Sequence, residues 1–354
     1  MSQDLFGKIF SSALTEDATF PVDAHARWIT RANEYDARLM AESEVQVLRL
    51  GQREVAATLN FEGRKFFCLC GYERPEEVAG GLKEIDASPG LFATFVTQAN
   101  IPSVATAAQA RDVLQDNHGE VADYKGHDLD AVVKIFPMVH FWEVEAPGAV
   151  SFTNDIYRLS GSFVTRSYGG YPLEMSKATK QKIIEIFEGG LDFLPFPLIL
   201  QGVLSYSWQS IFLDFYRSIE QLYSAPRLRG LAGRFEFGCT LSELAEALES
   251  FLAWRPKEEE ALSHLLRETS DPVRVALVEA MFDGAGAKPT PSAEKCAALI
   301  YKLRNSHVHF RPAMRPNHRT PAQWDSIISA MCDVVGEVYQ HFGSEFLIPN
   351  SARA

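Results

Sequence analysis

The sequence predicts an α+β protein, with a β-rich N-terminal domain over residues 1–195 and an all-helical bundle over residues 198–345. Three observations lead there. A chain of 354 residues is long for one core, so two domains are expected. Across residues 43–73 apolar and polar side chains partly alternate, the period of a strand. Beyond Pro195-Phe196-Pro197 the apolar positions fall three and four apart, the period of a helix.

In chain order, Val45 and Val47, then Val55, Ala57, Leu59 and Phe61, predict paired strands, and Glu62-Gly63 before Phe66-Phe67 predicts the hairpin turn between them. Strand-like runs recur at residues 91–97, 132–144 and 149–168, separated by Pro102, Gly126, Pro147 and Gly148. Helices are expected over residues 106–117 and 177–187, the second capped by Ser176. Ile199, Val203, Tyr206, Ile211, Phe212, Phe215, Ile219, Leu222 and Tyr223 predict one long, largely buried helix. Further helices are expected over residues 241–254, over 256–266 with 272–282 as a broken pair, over 293–308, and over 321–342 with Thr320 as cap and Pro321 at the first helical position. Short polar connections between them imply an antiparallel bundle.

The composition excludes several classes. No stretch approaches the roughly 20 uncharged apolar residues of a membrane span. Residues 1–12 show no basic segment followed by a long apolar core, so no secretory signal is expected there and the cytoplasm is the expected compartment. Cys68 and Cys70 fall on one face of a strand, but no second Cys or His pair lies nearby, so buried thiols are expected in place of a zinc site. No Gly-rich phosphate loop is present, and Gly284 and Gly286 before Lys288 read as a loop.

The net charge of −12 opposes a polyanionic partner in general, yet the charge is unevenly spread. Between Glu294 and Asp325 there is no acidic residue, while Lys295, Lys302, Arg304, Arg311, Arg315 and Arg319 fall inside with His307, His309 and His318. Such a strip can capture a polyanion locally. Complementing a helix dipole accounts for Arg304 and Arg311 but not for the whole stretch. His307, His309 and His318 lack the carboxylate that would complete a metal set, so no metal and no cofactor is expected.

Within this strip, Lys302-Leu303-Arg304-Asn305-Ser306-His307-Val308-His309-Phe310 places a fixed cation and a titratable ring five residues apart before Pro312. On an unbroken helix, Arg304 and His309 lie about 140° apart at about 100° per residue, whereas Asn305 and His309 share a face. Either the long Arg304 side chain reaches around or the helix unwinds near His309. This motif resembles the signature of the HEPN superfamily, many of whose members cut RNA without a metal. The helix with Phe215, Tyr216, Glu220 and Tyr223 is similar to the first major helix of such domains. The resemblance implies a metal-independent endoribonuclease, a toxin-like or antiphage effector whose helical domain pairs with a second copy and whose residues 1–195 sense an unknown trigger. It implies His309 as general acid or base, Arg304 stabilising phosphate charge and Asn305 orienting His309 or binding a phosphate oxygen. Glu220 would tether Arg304, His307 would support the site, and Lys302, Arg311, Arg315 and Arg319 would bind RNA. The other reading is a non-catalytic module that dimerises or holds RNA or a nucleotide without cutting.

Overall fold

The Glu62-Gly63 turn organises the first half. Both residues adopt positive φ, +48° and +74°, the left-handed pair that a tight hairpin requires and that glycine tolerates without strain. The computed structural model describes residues 2–20, 27–30, 34–115, 124–145, 151–169, 173–235, 237–282, 289–308 and 318–347. Among these, strands β1 (Glu44–Arg49), β2 (Val55–Phe61), β3 (Arg64–Cys70), β4 (Leu82–Ile85) and β5 (Val139–Val144) form one antiparallel sheet in the order β1-β2-β3-β5-β4. The fold is α+β.

The chain divides into two compact units, Met1–Phe163 and Val164–Ala354. In the first, both faces of the sheet are covered. Val55, Ala57, Leu59, Phe66, Cys68, Cys70 and Phe141 share one apolar cluster with α1 (Ser2–Glu16), α2 (Glu34–Glu42), α3 (Pro89–Gln98), α4 (Ala107–Gln115) and α5 (Leu129–Val133). On the opposite face, Ala56, Phe67, Leu69 and Trp142 pack with Leu159 and Phe163 of α6 (Ile156–Arg166), the Trp142 and Phe163 rings lying 4.3 Å apart. Double coverage explains why β2 and β3 are buried on both faces over most of their length, with runs such as Phe66-Phe67-Cys68-Leu69-Cys70. It also desolvates Cys68 and Cys70, so burial raises both thiols, Cys70 to about 12.

The predicted strand runs need correction. Residues 91–97 lie in α3, where Ser88 accepts from the Leu91 amide and Pro89 opens the helix. A wholly buried apolar run has no period to distinguish helix from strand. Within residues 132–144, Pro137 separates the short α5 from β5. Within residues 149–168 the described part is a 3-10 turn (Ser151–Asn154) and α6, whose first turn is held by Asp155 accepting from the Tyr157 amide at 2.7 Å.

The second unit contains α7 (Lys177–Gly189), α8 (Phe196–Val203), α9 (Trp208–Glu220), α10 (Ala225–Ala232), α11 (Leu241–Leu252), α12 (Glu258–Leu266), α13 (Asp271–Met281), α14 (Ala293–Val308) and α15 (Pro321–Phe346). Ser176 caps α7 by accepting from Thr179, and Thr320 forms a capping box with Gln323 at the start of α15. The single helix expected across residues 199–223 is broken, because Ser207 accepts from the Ser210 amide and starts α9 afresh. The unit boundary precedes the expected domain border at residue 195, since α7 packs on α15. Among the described residues no helix is long and apolar enough to cross a membrane.

Gly90 sets a test of the first unit. A Cβ there would lie 2.7 Å from the Asp36 backbone, so α2 and α3 pack only with glycine at that point. Gly90→Ala is expected to cost about 1–3 kcal/mol by overpacking, measured by chemical denaturation, whereas Gly80→Ala, with open space around the added carbon, should cost far less.

Candidate functional site

Helix α14 buries Ala293, Cys296, Ala297, Ile300 and Leu303, an apolar stripe spaced three and four apart. Arg304 follows the last of these, so its side chain leaves the edge of that stripe, and only 17% of it stays exposed. Among the described residues, four groups surround the guanidinium. Nη1 donates to Asn305 Oδ1 at 3.0 Å and lies 3.5 Å from Glu258 Oε2 on α12. Nη2 lies 3.9 Å from Glu220 Oε1, the last residue of α9. The Tyr216 ring, one turn before Glu220, has its centroid 5.5 Å from Cζ, a cation–π arrangement. The Tyr223 hydroxyl in turn donates to Tyr216 Oη at 2.8 Å.

This cluster is half desolvated, and its titrations reflect that. Burial raises the Glu220 carboxyl above its ordinary range, Arg304 opposes that, and repulsion from Glu258 adds to it. Burial pushes Tyr216 up to about 12 and Tyr223 well above its normal value, so both phenols stay protonated and neutral. At neutral pH the phenols are donors and ring faces, not bases.

His307 lies elsewhere on α14, with its ring centroid 5.4 Å from that of the buried Trp324 of α15. Burial first, and then the nearby Arg319 cation, push its imidazolium pKa down. Its Nε2 is buried and has no hydrogen-bond partner among the described residues. Arg319 donates Nη2 to the carbonyl of Met281 at 2.7 Å, satisfying the last turn of α13. Lys302 is exposed on α14. His309, Arg311 and Arg315 lie outside the described residues.

The structure therefore brings together Arg304, Asn305 and Glu220 of the expected set. It directs His307 to Trp324 and Arg319 to the end of α13. Asn305 accepts from the arginine, a contact not expected from the motif. Glu258 is the residue the sequence reading missed. Its only sequence signal is the acidic first turn Glu258-Glu259-Glu260 of α12, which reads as dipole complementation until the packing of α12 on α14 brings one of the three to Arg304. Among the described residues no group of three or more His, Cys, Asp or Glu side chains is placed to hold a metal. Comparison with family models, curated proteins and solved structures found no match to this chain.

Removing the cation would leave Glu220 and Glu258 facing a half-buried space without compensation. Arg304→Met is expected to cost on the order of 1–2 kcal/mol, below the 3–5 of a fully buried pair because Glu258 keeps 40% of its side chain exposed. Adding Glu220→Gln should restore part of the loss, and a double-mutant cycle by chemical denaturation measures it. A second expectation follows from His307. A base held below its ordinary value binds its proton less tightly folded than unfolded, so its contribution is present above about pH 6.5 and is lost as pH falls. Between pH 7 and 5 the melting temperature of His307→Phe should therefore fall less steeply than that of the wild type.

Proposed function

We propose that the chain is a metal-independent endoribonuclease of HEPN type. One observation carries this reading: a largely covered guanidinium, Arg304, donates to an amide and lies within 4 Å of two carboxylates near the end of α14, five residues before His309. Transition-state stabilisation needs charge that is already in position, because reorientation during the reaction would cost part of the gain. In the proposed reaction a ribose 2′-hydroxyl loses its proton and attacks the adjacent phosphorus, the bond to the 5′-oxygen breaks, and that oxygen takes up a proton. The products are a 2′,3′-cyclic phosphate and a 5′-hydroxyl. His309 serves as the proton-transferring group and Arg304 balances the charge on the non-bridging oxygens. DNA, lacking the 2′-hydroxyl, is not cut. The same reading has two helical units pairing so that two motifs face one groove, a cytoplasmic setting, and residues 1–195 restraining the activity until a trigger arrives.

One observation favours a second reading, a module that holds RNA or a nucleotide without cutting it. Glu220 and Glu258 already offset the charge of Arg304, and an approaching phosphate meets them as well. Incubating the full chain with total RNA in EDTA separates the two. The ribonuclease reading expects cyclic-phosphate ends and a loss of about 100-fold or more in rate for His309→Ala. Retention of RNA without products supports the second reading, and cleavage unchanged in His309→Ala refutes the first.

A further inference from the structure

In the first unit, α1, the end of α3 and the turn after β1 line an open groove of about 820 Å³ whose lining includes Lys8, Arg49, Gln52, Gln98, Asn100 and Asp4. We propose that this groove binds a small molecule carrying a phosphate group. The proposal stands apart from the ribonuclease reading and supplies a ligand for the N-terminal unit.

Two cations line one space. Arg49 donates Nη2 to the carbonyls of Ala99 and Asn100 at 2.8 and 3.2 Å, which satisfies the end of α3. Its Nε and Nη1 have no partner among the described residues, leaving separate N–H donors that suit phosphate oxygens. Lys8 donates to Asn100 Oδ1, an anchor supplied by a residue at φ +50°, a conformation asparagine tolerates. Burial and the repulsion of Arg49 make the Lys8 ammonium less favourable than it is in water, while Asp4 partly offsets them. An anion between the two cations would offset that penalty. Gln52 and Gln98 add neutral amide donors with no partner among the described residues. Asp4 keeps the three charged groups at a formal +1, which favours a compact anion over a long polyanion. The volume falls in the range of small-molecule sites, roughly 300–1,000 Å³.

Calorimetric titration of the full chain with pyrophosphate, and separately with adenosine diphosphate, tests the proposal. Saturable binding of either probe is expected, weakened about tenfold or more in Arg49→Gln. Because Arg49 also supports α3, Gln98→Glu is the second variant. It removes no contact, places a carboxylate in the groove, and should weaken binding at least as much. No saturable binding of either probe at millimolar concentration overturns the proposal, as does an affinity unchanged in Gln98→Glu.

Discussion

Burial of α15 is the constraint on which the second unit depends. This helix of 26 residues buries Trp324, Ile327, Ile328, Met331, Val334, Val335, Val338, Tyr339 and Phe342, which share one broad face spanning about 140° at about 100° per residue. A helix with so wide an apolar face is stable only with neighbours covering it, and α7, α9 and α13 supply them. Polar contacts fix where they sit. The Tyr339 hydroxyl donates to the Ser218 carbonyl of α9 at 2.6 Å, and Lys182 of α7 meets Asp333 at 2.6 Å. With α9 and α13 held on α15, α14 packs against both and against α12. The approach of Arg304 to Glu220 is a consequence of that packing.

The resulting site balances order against availability. Two carboxylates, an amide and an aromatic face define one position for the guanidinium, which lowers the entropy lost when a ligand binds. They also offset its charge. Because burial raises the Glu220 carboxyl, ionising it beside Arg304 is less favourable than the pairing alone suggests. The charge state of Glu220 thus contributes to how much positive potential Arg304 retains.

Legibility differed along the chain for physical reasons. The hairpin at Glu62-Gly63, the Ser176 and Thr320 caps and the limits of α14 were readable because each is a local matter of backbone conformation or hydrogen bonding. The runs at residues 91–97 and 149–168 were misread as strands. Ala93, Phe95 and Val96 are buried in a helix enclosed by other elements, and enclosure erases the polar positions that would reveal the period. In the site, Glu220 was visible from its place after an aromatic helix, whereas Glu258 was one of three successive glutamates with nothing local to separate it from Glu259 or Glu260. Tyr216 is part of the core, yet its ring also faces Arg304.

By itself the sequence determined the α+β class, the change from a strand period to a helical one, the acid-free strip after Glu294 and the Arg304-Asn305 pair with His309 five residues beyond Arg304. These follow from neighbours within one or two turns of the chain. Tertiary structure alone decided that both faces of the sheet are covered, that Glu258 joins Glu220 around one cation, that His307 turns to Trp324 and that Lys8 and Arg49 share a groove. Each of those results joins residues distant in sequence or selects one of several equivalent side chains. The energy that makes the choice is burial and charge pairing across packed elements, which no local spacing encodes.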